Sequence, residues 1–77
     1  MEVNVLAFGQ IADIVGMSSW KVSGVMTSDD LIGQLTAQFP ELSKIKFAVA
    51  VNKQVINRSV ILQEQDTVAL LPPFSGG

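Results

Sequence analysis

The sequence predicts an α+β domain, a mixed β-sheet with one main helix packed on one face. Three observations predict it. Segments 2–8 and 67–71 alternate with the two-residue period of strands. Between them, TSDDLIGQLTAQFP has a helical period with both a start and a stop signal. The chain has 77 residues, no internal repeat and no linker, which makes it one domain over 1–77.

The first stretch, EVNVLAF, places Val3, Val5 and Ala7 on one face and Asn4, Leu6 and Phe8 on the other. The second face carries one polar and two large apolar residues, so it is not a simple solvent face. GQIADIVGM follows. Its Ile11, Ile14 and Val15 have helical spacing and Gly16 sits where a helix stops, giving a short helix of two turns. SSWKVSGV, residues 18–25, alternates again, with Trp20 and Val22 opposite Lys21 and Ser23. It is a second strand.

The main helix comes next. Thr27 and Asp30 have the spacing of a capping box. Asp29 and Asp30 put negative charge at the positive end of the helix dipole. Leu31, Leu35 and Phe39 recur every four residues with Ile32 beside them, so one face is apolar. Gly33 costs about 1 kcal/mol inside a helix, and Pro40 ends it by pushing Phe39 out of helical dihedrals. Lys44 to Lys46 read as a connecting loop. FAVAVN, 47–52, is a strand. NKQ, 52–54, is a tight turn into a short strand at Val55–Ile56. NRSVILQEQD is irregular, with a turn at Glu64-Gln65-Asp66. TVALL, 67–71, is the last strand, ended by Pro72-Pro73, which cannot donate to a ladder.

Strand, short helix, strand, longer helix and further strands make a β-grasp arrangement the natural candidate. If Val3, Val5, Val68 and Leu70 meet the helix, then Leu6, Phe8, Ala69 and Leu71 lie on the open face. They form an apolar patch beside the point where the tail leaves. Composition agrees. Only 16% of residues are charged and mean hydropathy is +0.41, against about 25% charged in an average soluble domain. A small domain hides little surface, and an apolar patch of this kind calls for a partner.

Several functions are excluded. With no cysteine and no histidine there are no disulfides, no thiolate or imidazole metal ligands and no Ser-His-Asp arrangement. No metal site is expected. Seven acids face five scattered bases, Lys21, Lys44, Lys46, Lys53 and Arg58, so nucleic acid is not an expected partner. No apolar run reaches the roughly 20 residues of a membrane helix, and MEVNV is no secretory signal, so a cytoplasmic location is expected. Gly9, Gly16, Gly24 and Gly33 fit no phosphate-binding spacing. Asp13, Glu64 and Asp66 read as solvated surface groups.

The remaining reactive group is the main-chain carboxylate of Gly77. A terminal Gly-Gly arises by chance in roughly one protein in two hundred at ordinary glycine frequency, so its weight comes from context. Residues Pro72, Pro73, Phe74, Ser75, Gly76 and Gly77 extend at most about 20 Å. The prolines favour extended chain, and the glycines lack Cβ atoms, so the end can thread a narrow channel. Such a tail can place a carboxylate deep inside another protein. A carboxylate reacts only after activation. An ATP-dependent partner can make an acyl-adenylate, from which sulfide or a persulfide displaces AMP to leave a thiocarboxylate.

On VLAFGQIADIVG, VAVN at 49–52, QEQDTVALLPP and the final SGG, the whole chain resembles the MoaD-type small subunits of molybdopterin synthase, in the ubiquitin-like sulfur-carrier family. The Pro-Pro-x-Ser/Thr-Gly-Gly ending is fairly specific for this branch. Family members often carry an arginine where this chain has Ala12. The resemblance implies a β-grasp fold and a non-catalytic, sulfur-donating subunit with no permanently bound cofactor. It implies that Gly77 is adenylated by an E1-like adenylyltransferase with ATP and thiocarboxylated from a sulfide or persulfide donor. The tail then enters the large subunit of a heterotetrameric molybdopterin synthase. There it gives sulfur to cyclic pyranopterin monophosphate, two carriers per dithiolene. It also implies that an apolar sheet face meets the large subunit. Phe8 and Leu71 match that face, as alternation finds independently, and Val55 does so on the resemblance alone. Three other readings remain: a carrier for thiamine, cysteine or tRNA thiolation, a ubiquitin-like modifier joined to lysines through Gly77, or a passive β-grasp binding module.

Overall fold

The computed structural model of the chain describes residues 1–72. Five strands form one sheet in the order β2-β1-β5-β3-β4. They are β1 (Glu2–Ala7), β2 (Ser19–Ser23), β3 (Ala48–Val51), β4 (Gln54–Ile56) and β5 (Thr67–Leu71), with helices α1 (Gly9–Val15) and α2 (Ser28–Gln38). Strands β1 and β5 are parallel and the other pairs antiparallel. This is the expected α+β, β-grasp fold.

The pleat sorts the side chains as the alternation predicts. Val3, Val5 and Ala7 of β1 and Val68 and Leu70 of β5 are buried, while their neighbours along each strand are only half-covered. Helix α1 adds Ile11 and Val15 to this core, and α2 adds Leu31 and Leu35. Both capping-box hydrogen bonds form at the start of α2. The Asp30 N–H donates to Thr27 Oγ1 and the Thr27 N–H donates to Asp30 Oδ2, each at 3.1 Å. Trp20 and Val22 share one face of β2, as read, and that face is the one toward the core.

Three details differ from the sequence reading. Helix α2 ends before Pro40 as expected, but residues Pro40–Lys44 then form a 3₁₀ turn, so Lys44 belongs to it and not to a loop. Proline opens such a turn readily because its missing N–H would have no partner there, and burial of Leu42 anchors it. Strand β2 stops at Ser23, two residues short of the reading, where Gly24 takes φ 79°. Residues 47 and 52 fall outside β3, and Gln54 belongs to β4 and not to the turn.

The irregular segment 57–66 is fastened to the start of α2. The Ser28 N–H donates to the Val60 carbonyl at 2.9 Å, and the Val60 N–H donates to Ser28 Oγ at 2.9 Å. Ser28 is 2% exposed, the one buried polar residue among those described. In Ser28→Ala the Val60 N–H loses its acceptor in a site poor in water. The substitution is expected to cost about 1–3 kcal/mol. A lower urea midpoint at unchanged slope would show it.

The opposite end of the sheet is tied by the β3–β4 turn. Asn52 and Lys53 both have positive φ, 49° and 72°, the geometry of a two-residue hairpin turn. Asn52 Oδ1 accepts from the Thr67 N–H, and its Nδ2 donates to Asp66 Oδ1, both at 3.0 Å. Glu64 accepts the Glu2 N–H at 2.8 Å. That backbone hydrogen bond is the main reason its carboxyl is held below the usual range.

Candidate functional site

Half of every strand points away from the helices, and register shows what gathers there. Leu6 lies opposite Ala69, Ala69 opposite Ala50, and Ala50 opposite Val55. These four residues make one apolar row across β1, β5, β3 and β4. The next row toward the end of β5 holds Leu71 opposite Ala48. Phe8 follows β1 with extended dihedrals, φ −128° and ψ 152°, so alternation carries it to the side of Leu6. In the other direction the next row is polar, with Lys21, Asn4 and Thr67. The face is therefore graded, apolar where β5 ends and polar where it begins.

All five residues expected on a partner face, Phe8, Val55, Leu71, Leu6 and Ala69, come together here. Leu6, Ala69 and Leu71 are half-buried. Phe8 is 45% exposed and Val55 63%, large values for such side chains. Ala48 and Ala50 complete the surface and were not singled out from sequence. The signal was present in FAVAVN, whose alternation was hidden because both of its faces are apolar. Ala50 is 4% exposed although it lies on the open face, because it is small beside its neighbours. A shallow concavity of about 270 Å³ is lined by Leu6, Asn52, Lys53, Thr67 and Ala69.

The chain leaves the sheet at the apolar end. Ala7 pairs with Leu70, so Leu71 and Pro72 run past the β1–α1 junction, where Phe8 and Gly9 lie. Pro72 Cγ is 3.6 Å from where a Cβ on Gly9 would stand, and Gly9 has φ 57°. Glycine adopts that conformation without strain, whereas an L side chain does not. This seat for Pro72 was not legible in sequence. Pro73, Phe74, Ser75, Gly76 and Gly77 lie outside the described residues.

Little else on the described surface offers chemistry. Among the described residues no cluster of three or more acidic, cysteine or histidine side chains could hold a metal. The ion pair found there joins Lys21 Nζ to Glu2 Oε1 at 3.8 Å, on an exposed part of the sheet. No helix among them is long and apolar enough to cross a membrane. The arrangement suits docking, with an apolar face beside the root of the C-terminal segment.

Comparison with known proteins gives a consistent picture. Residues 5–77 match the ThiS family. The molybdopterin synthase sulfur carrier subunit of Arabidopsis thaliana is 30% identical over 81 residues, covering 100% of this chain and 84% of that protein. A structure of the complex of subunits 1 and 2 of the molybdopterin-converting factor from Helicobacter pylori contains a chain with TM-score 0.74 and 25% identity, covering 100% of both chains. SAMP1 of Haloferax volcanii, with TM-score 0.82 and 22% identity over 100% of both chains, shares the fold.

Proposed function

The chain belongs to the ThiS family, and on that premise we propose that it is the sulfur-carrying small subunit of a molybdopterin synthase. The observation that carries this reading is the apolar row Leu6–Ala69–Ala50–Val55, continued by Leu71 and Phe8 to the root of the C-terminal segment. That surface fits a large subunit whose active site receives the tail. The full-length match to the Arabidopsis thaliana carrier supports the same assignment.

The chemistry follows from Gly77. Its carboxylate attacks the α-phosphorus of ATP on an E1-like adenylyltransferase, and pyrophosphate leaves. Sulfide then attacks the acyl carbon and AMP leaves. With a persulfide donor an acyl disulfide forms first, and a thiol must cleave it reductively. The product is a thiocarboxylate, a sulfur nucleophile on a chain that has no cysteine. In the large subunit the thiocarboxylate sulfur attacks a side-chain carbon of cyclic pyranopterin monophosphate. A C–O bond at that carbon breaks, its oxygen leaving as the opened phosphate ester or as water, and hydrolysis of the acyl–sulfur bond leaves the sulfur on the pterin. Water restores the carboxylate, and two such carriers furnish one dithiolene. The carrier itself supplies docking, reach and the sulfur, while acid–base groups come from its partners.

An accurate mass of the C-terminal peptide tests the proposal. Oxygen replaced by sulfur adds nearly the same mass as one methionine oxidation. Cleavage after Arg58 removes that ambiguity, because Ser59–Gly77 contains neither Met nor Cys. After exposure to the activating enzyme, ATP and a sulfur source, a sulfur-for-oxygen shift on Gly77 is expected. Molybdopterin is then expected to form when the modified carrier meets the large subunit. An unmodified peptide would favour the modifier or passive-module reading. A modified peptide that no molybdopterin synthase accepts would point to another thiolation pathway.

A further inference from the structure

We infer that Lys53 is a docking determinant on the open sheet face, taking a side-chain carboxylate of the large subunit and so fixing the direction in which that subunit lies along the face. The inference rests on the molybdopterin-synthase reading above and adds to it a residue and a partner chemistry.

Three features carry it. The first is the gradient along the face. Leu71 and Ala48 share its apolar end, and Thr67, four residues earlier on the same strand, marks its polar end. Four residues of strand span about 13 Å. A partner seated here meets hydrocarbon at one end and polar groups about 13 Å away. Apolar contact is non-directional, so a charge at one end supplies the orientation that greasy contact lacks.

The second is the placement of Lys53. It sits in the β3–β4 turn at φ 72° and lines the concavity shared with Leu6, Asn52, Thr67 and Ala69. The lysine therefore borders the concavity at the Thr67 end of the face, next to the apolar row. The turn is rigidly set, since Asn52 is hydrogen-bonded to Thr67 and Asp66. The position of the lysine stem is thus fixed relative to β5, the strand that leads into the tail.

The third is what the neighbouring charges are doing. Lys21, the other cation at the polar end of the face, is already paired with Glu2 at 3.8 Å. Asp66 is occupied by Asn52 Nδ2 and the Gln63 N–H. Lys53 forms no ion pair with any described residue. On a chain with net charge −2, an unpaired cation bordering an apolar surface complements a carboxylate on whatever covers that surface. At physiological salt its reach is about 8 Å, so the complementary group belongs to the partner surface seated on this concavity.

The test is a titration of the carrier with its large subunit at several salt concentrations. The variants are Lys53→Gln, Lys53→Glu and, as a control of equal charge change, Lys44→Glu on the 3₁₀ turn at the helix side of the sheet. Lys53→Glu is expected to weaken binding roughly three- to tenfold and to flatten its salt dependence, with Lys53→Gln between it and the parent. Lys44→Glu is expected to stay within about twofold. Changing the facing Asp or Glu of the large subunit to Lys should restore binding to Lys53→Glu. Equal effects of Lys53→Glu and Lys44→Glu would overturn the inference while leaving the sulfur-carrier reading intact. Failure of the unsubstituted carrier to bind would overturn both. Lys53-dependent dimers in sedimentation of the carrier alone would assign the carboxylate to a second copy and overturn it as well.

Discussion

Removing Gly77 is expected to abolish sulfur transfer and leave the fold unchanged. Among the described residues the buried core runs from Val3 to Leu70, so loss of the last residue should move stability by less than about 0.5 kcal/mol. The shortened chain still ends in a glycine carboxylate, but that group is withdrawn by one residue, about 3.3–3.6 Å. Reacting atoms must approach to about 3–3.5 Å, and a misplacement of about 1 Å can cost a hundredfold. A displacement of a whole residue should therefore lower both thiocarboxylate formation and sulfur delivery by well over a hundredfold. Thermal unfolding, single-turnover adenylation and product formation should be measured on the same preparation. Gly77→Ala separates two causes, because it keeps the carboxylate in reach and adds only a methyl group. If the truncated chain still supports molybdopterin formation, the reactive group is not at Gly77.

The parts of the molecule legible in sequence were those governed by short-range periodicity. Alternation in EVNVLAF and TVALL assigned both faces of β1 and β5, and with them Leu6, Phe8, Ala69 and Leu71. The Thr27–Asp30 capping box marked the start of α2 to the residue. What escaped depends on contacts between distant segments. Register across β5, β3 and β4 puts Ala50 between Ala69 and Val55, and no local pattern in FAVAVN chooses one apolar face over the other. The 3₁₀ turn at Pro40–Lys44 hangs on burial of Leu42 in the shared core. The seat of Pro72 against Gly9 joins residues 63 positions apart and depends on a positive φ. Lys53 looked like one of five scattered cations, until the turn carried it to the border of the apolar row.

Phe8→Asp is expected to separate docking from folding, and this makes it more informative than a substitution deeper in the face. Phe8 is the N-cap residue of α1, in extended dihedrals, and no side chain caps that helix. Aspartate is a strong N-cap and adds about 1 kcal/mol where it finds an N–H. Against this stands the loss of the covered part of the ring, just over half of the side chain, about 1–2 kcal/mol where full burial of a Phe is worth about 1.5–3 kcal/mol. The two effects nearly offset, and the folded chain should survive with a net change below about 2 kcal/mol. At the docked face nothing offsets the loss. The remaining ring surface is no longer buried, and a carboxylate must be desolvated against hydrocarbon. Binding to the large subunit should fall at least about a hundredfold. Leu71→Asp would confuse the two effects, since Leu71 is half-buried within β5 and pairs with Ala48. The activating enzyme has reason to use the same apolar face, so the thiocarboxylate should be installed on Gly77 by semisynthesis before transfer is measured. With activation bypassed, Phe8→Asp should deliver sulfur at the parent's rate when the large subunit is saturating, and fail at low concentration. Parent-like binding by Phe8→Asp would remove the open face as the docking surface and leave only the tail to explain recognition.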